Sequence, residues 1–509
     1  MHERNADERP VFEGGGGVSA RPMRSVDVAG FIGNHGLWTE AQYAALGQMR
    51  RVVDELGIEM VRFAFVDQHG IVRSKTIARG ALTGALKNGV TAPSSLLLKD
   101  TSGQSVFAVF SSETGVGVPG FRGAGDIVLV PDPTTFRVLP WAPRTGWMLC
   151  DLYFPTGAPV PFCTRTILRN ELVALASRGY SMTVGAELEF HVFRAAGEPL
   201  ADDNLSVPGR PGASMAVAPT TRGSQLLHEA SLDEMQPLVD ALYRGLTLLD
   251  LPLRSIELEF GPSQFEITMD AAGAAETADA IILCRSAVRS IAASLGYHAT
   301  FMARPQGAQG ASTGWHLHQS LADLHTGESV FMPEEPGSTI SPLAQSYLAG
   351  LLAHAAAAAA FTTPTVNGYK RYQPNSLAPD RIAWGVDNKG AMIRVVGGMG
   401  DPATRLENRS GEPAANPYLY IASQLIAGMD GVDRALTPPE PTTDPYSADA
   451  AALPATLGEA VDALVADAVF GEALSTTVVE WYATIKRAEF GRYLRHVSDW
   501  EQREYIGIF

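Results

Sequence analysis

The spacing of apolar and polar positions changes several times along the chain, and each change marks an element. Residues 1–37 have no periodic apolar pattern and include the run Gly14 to Gly17, so they read as a flexible extension. Over residues 40–56 apolar side chains recur at helical spacing. Met60-Val-Arg-Phe-Ala-Phe-Val-Asp67 alternates as a strand does, His69-Gly70 supplies a turn, and Ile71-Val-Arg-Ser-Lys-Thr-Ile77 returns as a second strand. Residues 105–110 and 126–130 read as further strands, which makes 38–148 a small, mostly β domain. The proline-rich stretch 131–161 is the expected border, and 149–509 reads as a larger α+β domain, with 438–445 a loop before a helical C-terminal region.

Four short segments in the larger domain carry polar residues on one face only. In Val184-Gly-Ala-Glu-Leu-Glu-Phe-His-Val192, Leu188 and Phe190 point one way and Glu187, Glu189 and His191 the other. In Ile256-Glu-Leu-Glu-Phe260, Glu257 and Glu259 share a face, and Glu266 follows a turn. His316, His318 and Ser320 align in Trp315-His-Leu-His-Gln-Ser320, as do Arg405, Glu407 and Arg409 in Arg405-Leu-Glu-Asn-Arg409. One such stripe is ordinarily a solvated sheet face. Four in one domain bring several carboxylates together if they share a sheet, and like charges that close repel unless divalent cations neutralise them. Carboxylates with imidazole suit Mg²⁺ or Mn²⁺, and neighbouring arginines suit phosphate or carboxylate groups. Metals and arginines without a glycine-rich phosphate loop point to phosphoryl transfer outside the P-loop class.

Composition narrows the partners. The 509 residues hold 39 Lys plus Arg against 55 Asp plus Glu, a formal charge of −16, with no basic stripe, which disfavours nucleic acid. Three cysteines, Cys150, Cys163 and Cys284, show no CxxC spacing and suit a reducing, cytoplasmic setting. No signal-peptide pattern is seen, and the apolar run 347–361 carries His354 and is short for a bilayer, so no membrane association is expected.

In order and spacing, these segments resemble the glutamine synthetase family from about residue 51 to 490. Gly185-Ala-Glu-Leu-Glu-Phe190 is similar to its G-x-E-x-E-F segment, and 259–266 to its E-x(6)-E segment. Ser312-Thr-Gly-Trp-His-Leu-His-Gln-Ser-Leu321 is similar to its ATP-region signature, and Asn367-Gly-Tyr-Lys-Arg371 to N-S-Y-K-R. Arg405-Leu-Glu-Asn-Arg409 precedes Pro413-Ala-Ala-Asn-Pro-Tyr418 as in the family. The resemblance implies a β-grasp N-terminal domain, a catalytic domain with a curved antiparallel sheet, active sites shared between subunits, and ringed oligomers such as dodecamers. It implies that Glu189, Glu259 and Glu266 hold the cation nearer glutamate, and that Glu187, His316 and Glu407 hold the cation at the ATP phosphates. His318, Ser320 and Arg405 would contact ATP, Arg394 the transferring phosphoryl group, and Arg371 and Arg409 the glutamate carboxylates, with Gly314 and Glu189 nearby. Asp126 matches an acidic position of the family's N-terminal domain that serves catalysis. The reaction implied is formation of γ-glutamyl phosphate from glutamate and ATP, followed by displacement of phosphate by an amine.

Departures from the family bear on the amine. Its D-G-S-S latch reads Ala92-Pro-Ser-Ser95 here, and its flexible-loop glutamate aligns with Leu377 in Pro374-Asn-Ser-Leu-Ala-Pro379. A phosphate-facing arginine is Lys389, and an Asn-Gly pair near the glutamate amino group aligns with Ala311-Ser312. Ammonium and alkylammonium ions need carboxylates to bind them and take their proton, so losing two carboxylates favours an amine already neutral near pH 7. The expectation is therefore a γ-glutamyl-amine ligase whose amine is not ammonia and is aromatic, as in γ-glutamylanilide synthetases. The alternatives are an ordinary ammonia-using glutamine synthetase, disfavoured by Ala92 and Leu377, and a non-catalytic structural or regulatory relative. The six inferred metal ligands argue against the last.

Overall fold

The computed structural model describes residues 30–196, 202–306, 308, 310–373, 376–446 and 449–509. Of the expected extension, 1–29 lies outside these residues. The rest includes a helical turn, α1 (Phe31–Asn34), that buries Ile32. The helix expected at 40–56 is α2 (Glu40–Glu55), started by a capping box in which Thr39 and Gln42 satisfy each other's backbone N–H. The alternation from Met60 gives the hairpin β1 (Met60–Val66) and β2 (Val72–Ala78), paired Met60 to Ala78 through Val66 to Val72. There follow α3 (Arg79–Asn88), β3 (Val90–Pro93), β4 (Asp126–Pro131), β5 (Arg137–Val138) and β6 (Thr145–Tyr153). They build a first sheet in the order β2-β1-β6-β4-β3, with β5 on β6.

Two details differ from the expectation. Residues 105–110 form no strand, only an isolated bridge from Ser105 to Lys99. Phe107 and Val109 are buried, but the Val109 N–H turns back to the Phe107 carbonyl, so the alternation reflects a folded loop. Conversely, β6 lies in the stretch read as a border. It runs parallel to β1 and antiparallel to β4, and is buried almost end to end, so it lacks the two-residue alternation of a half-exposed strand. The expected border at 148/149 falls inside β6, and the first sheet continues to Tyr153.

The rest of the chain holds α4 (Thr164–Ser177), β7 (Tyr180–Ala195), β8 (Val217–Ala218), α5 (Glu229–Asp233), α6 (Gln236–Leu248), β9 (Leu253–Leu258) and β10 (Gln264–Gly273). Next come α7 (Ala274–Ser294), β11 (Tyr297–Thr300), β12 (Trp315–Asp323), α8 (Pro342–Ala353), α9 (Ala355–Thr362), β13 (Trp384–Val386), β14 (Ile393–Val396), β15 (Arg405–Asn408) and α10 (Pro417–Asp433). Four helices close the chain, α11 (Leu457–Ala466), α12 (Ala468–Ala473), α13 (Thr476–Leu494) and α14 (Asp499–Tyr505). The second sheet runs β13-β14-β15-β12-β7-β10-β9, antiparallel except for β13 with β14. It curves, and a bulge breaks the β10–β7 register between Met269 and Ala272. The architecture is α+β.

Helices cover the sheets and join them. Arg165 on α4 bonds Asp132 and Asp151 of the first-sheet region and Asp279 on α7, at 2.9, 3.1 and 2.6 Å. The buried guanidinium thus has three carboxylates to offset its desolvation. α8 and α10 cross at glycines: a Cβ on Gly350 would lie 2.1 Å from the Ala427 carbonyl oxygen, and one on Gly431 2.1 Å from that of Ser346. The apolar run 347–361 is broken at His354, whose Nδ1 meets Asp467 at 2.6 Å and Nε2 meets Asp430 at 2.9 Å. The helices on either side bend by 75°, and no single helix among the described residues is long and apolar enough to cross a membrane. Cys150, Cys163 and Cys284 are all buried free thiols.

Candidate active site

Strand β7 organises the site. Leu188 and Phe190 are fully buried on one face, which turns Glu187 and Glu189 to the other. Registers with neighbouring strands then lay out rows of polar residues. Glu189 sits opposite Glu266 on β10, and Glu266 opposite Glu257 on β9. Glu187 sits opposite His316 on β12, and His318 opposite Glu407 on β15, which faces Arg394 on β14. Three of the four polar stripes thus share one sheet face. The fourth, around Glu257 and Glu259, joins from the edge, with Glu259 just past the end of β9.

Side-chain contacts bind these rows together. Glu187 lies between two imidazoles, with His316 Nδ1 at 3.0 Å and His318 Nε2 at 2.9 Å. Arg405 Nε donates to His318 Nδ1 at 3.0 Å, which leaves Nε2 to donate to Glu187. Glu189 accepts from Gln264 Nε2 at 2.7 Å and from the Gly314 backbone N–H at 3.0 Å. Glu407, fully buried, accepts from Arg394 at 3.0 Å and from Arg409. Arg371 is buried and donates to the Ser410 carbonyl at 2.9 Å.

Two adjoining cavities open along this face. One, of about 850 Å³, is lined by Glu189, Glu259, Glu266, His316, Arg371, Arg394 and Arg409, with Gly314 and Lys389. The other, of about 1260 Å³, is lined by His318, Ser320 and Arg405. Glu187, Glu257 and Thr268 line both, so they form the wall between them. The lining of the smaller cavity includes apolar side chains as well, Leu226, Leu227, Phe260 and Leu377, each exposed.

The charges are crowded. Burial, then the neighbouring charge of Glu259, pushes the Glu189 carboxyl up to about 8. Burial, then Glu189, Glu187, Glu259 and Glu257, pushes Glu266 up to about 9, and burial also raises Glu259. Burial opposes ionisation of Glu187 too, but hydrogen bonds from His316 and His318 hold it well below the usual carboxylate range. Burial, then Arg409, lowers His316 and favours the neutral imidazole that ligates cations. Two groups have donor atoms close enough to share an ion: Glu187 with Glu266 and His316, and Glu187 with His318 and Glu407. Carboxylate oxygens with imidazole nitrogens, and carboxyls that cannot all ionise without help, fit divalent cations. The grouping differs from the expected split, because Glu187 belongs to both sets and Glu189 is tied to Gln264 and Gly314.

Some residues fall elsewhere. His191 is fully buried, stacks parallel to Phe193, lines neither cavity and is held down to about 4 by burial. It lies further along β7, opposite Gln264, although its strand parity matches Glu187 and Glu189. Ala92 is buried on β3 and Asp126 is exposed at the start of β4, both in the first sheet and in neither cavity lining. Pro374 and Asn375 of the Leu377 segment lie outside the described residues. The sequence reading did not single out Glu257 as a site residue, although its shared parity with Glu259 marked it. It also missed Leu226, Leu227 and Phe260, whose apolar character alone carries no signal for a site.

Comparison with known proteins agrees with this geometry. Residues 161–505 match the glutamine synthetase catalytic domain. A γ-glutamylanilide synthase from Acinetobacter sp is 41% identical over 494 residues, covering 94% of this chain and 99% of that protein. A γ-glutamylethanolamide synthetase from Streptomyces coelicolor is 33% identical over 452 residues, covering 88% and 92%. Among solved structures, a GmaS/ADP complex superposes with a TM-score of 0.73 at 27% identity, covering 90% of this chain and 99% of that one. The chain belongs to the glutamine synthetase family of ATP-dependent ligases that join glutamate to amines.

Proposed function

We propose that this ligase makes a γ-glutamyl amide from glutamate and a neutral aromatic amine. The observation that carries the choice of amine is the presence of the exposed apolar side chains Leu226, Leu227, Phe260 and Leu377 in the lining of the smaller cavity. An alkylammonium ion resting against these side chains would gain no charged partner from them, whereas an aromatic ring is matched to them. The relative at 41% identity is named for an anilide product, which supports the same reading.

The place of each residue supports the role that the resemblance implies for it. The larger cavity takes ATP, with His318, Ser320 and Arg405 on the nucleotide, and its phosphates reach the wall at Glu187. The smaller cavity takes glutamate, its carboxylates held by Arg371 and Arg409 with the Gly314 backbone alongside. One oxygen of the γ-carboxylate attacks the terminal phosphorus and ADP leaves, while Arg394 stabilises the charge on the transferring group. The amine nitrogen then attacks the acyl carbon, phosphate leaves with that oxygen, and the nitrogen loses a proton. Glu187, Glu189, Glu259, Glu266, His316 and Glu407 would hold two Mg²⁺ or Mn²⁺ ions, which when bound neutralise phosphate charge. Glu407 also fixes Arg394 and Arg409 in place.

Asp126 lies on the first sheet of the same chain, outside the cavities, so the catalytic role that the resemblance implies for it requires a neighbouring subunit. This supports a ring assembly in which Ala92 and Asp126 approach the next subunit's site, and light scattering on the purified protein reads its size. The buried free thiols fit a cytoplasmic setting. The experiment for the amine is ADP release with glutamate and equal concentrations of aniline, isopropylamine, ethanolamine, putrescine or ammonia. Aniline is expected to give the highest kcat/KM; the highest value with ammonia or putrescine would overturn the choice of amine.

A further inference from the structure

A cavity of about 470 Å³ lies away from the carboxylate-lined pair, between the β1–β2 hairpin, α7 and the segment that follows Arg409. Its size falls in the range of small-molecule sites. Its charge is one-sided. Arg62, Arg285, Arg289 and Lys486 line it, and no aspartate or glutamate does. Nearby cations of the same region are paired: Arg73 bonds Asp67 at 2.9 Å, and Lys486 bonds Glu489 at 3.1 Å. Arg62 and Arg289 make no ion pair among the described residues. Arg285 is buried, donates Nη1 to the Ala415 carbonyl at 2.8 Å, and otherwise rests over the Trp315 and Phe301 rings at 5.5 and 6.0 Å. Arg289 sits 5.6 Å over the same Phe301.

Guanidinium groups gathered in one cavity repel one another, and the buried Arg285 gives up hydration with no ion pair among the described residues in return. The strain registers at Arg285, where burial, then the charge of Arg289, pulls the guanidinium down to about 9. An anion with two charges removes both penalties, and the planar fork of arginine matches carboxylate and phosphate oxygens alike. We propose that this cavity is a second ligand site, which takes a small dianion bearing carboxylate or phosphate groups through Arg62, Arg285 and Arg289. Trp147 on β6 and Phe301 supply flat apolar walls, so the ligand carries a short carbon skeleton or a compact ester.

The site is tested by calorimetric titration of inorganic phosphate and, separately, of succinate into the full chain and into the variants R62Q, R289Q and the double variant. Arg285 is left in place because it is packed in the core, and circular dichroism checks that each variant is folded. At least one of the two anions is expected to bind the natural chain, with affinity falling about tenfold or more in the double variant. Binding of phosphate alone identifies a phosphate ester as the natural class, and binding of succinate alone a dicarboxylate. If the double variant does not fold, each single variant is still expected to weaken binding. Failure of both anions to bind the natural chain, or equal affinity in the folded variants, overturns the proposal.

Discussion

Glu189 on β7 and Glu266 on β10 are direct cross-strand partners, so two carboxylates occupy neighbouring places on one sheet face. Their carboxyls sit at about 8 and about 9, against an ordinary 4.5. The folded chain therefore binds these protons more tightly than the unfolded chain does. The stability this confers is full below about pH 4.5 and is lost as pH rises through 8 and 9. In EDTA the thermal midpoint is expected to fall by a few degrees between pH 6.5 and 9. Mn²⁺ should reverse the fall, because a cation stabilises the ionised pair. A midpoint that is flat in EDTA over this range, or a fall that Mn²⁺ does not reverse, would contradict this account of the crowded carboxylates.

Leu377 lines the smaller cavity at a φ of 63°, and over half of its surface is exposed. Leu377→Glu places a carboxylate there without filling a packed core. The variant is expected to lose about tenfold in kcat/KM for aniline and to gain with ammonia or putrescine. An unchanged ranking of amines would show that Leu377 does not face the amine.

Gly350 and Gly431 let α8 and α10 approach until a single methyl would meet backbone. Gly350→Ala is expected to cost about 1–3 kcal/mol, read as a lower denaturant midpoint, because the two helices must move apart. The site lies elsewhere, so at low temperature KM for glutamate should stay within about twofold of the natural value.

Alternation made the site legible before the fold was known. Glu187, Glu189, His316, His318 and Glu407 each lie on a strand whose apolar residues face the core, and the registers placed them side by side. The same signal did not separate His191 from Glu187 and Glu189, since parity gives the face of a strand and not how far along it the cavity extends. It also missed β6, because a strand buried on both faces has no alternation to read. The departures Ala92 and Leu377 were visible as losses of charge. That Leu377 lines one cavity with Leu226, Leu227 and Phe260 was not visible, because segments distant in sequence contribute to that lining.

The chemistry at the centre of this account is transfer of an oxygen from glutamate to phosphate. The most direct measurement supplies glutamate labelled with ¹⁸O in its γ-carboxylate, ATP, Mg²⁺ or Mn²⁺, and aniline, and follows the label by mass spectrometry. The account predicts one labelled oxygen in each phosphate released and the other in the γ-glutamylanilide formed. Anilide formed without label in phosphate would contradict activation of the γ-carboxylate by ATP.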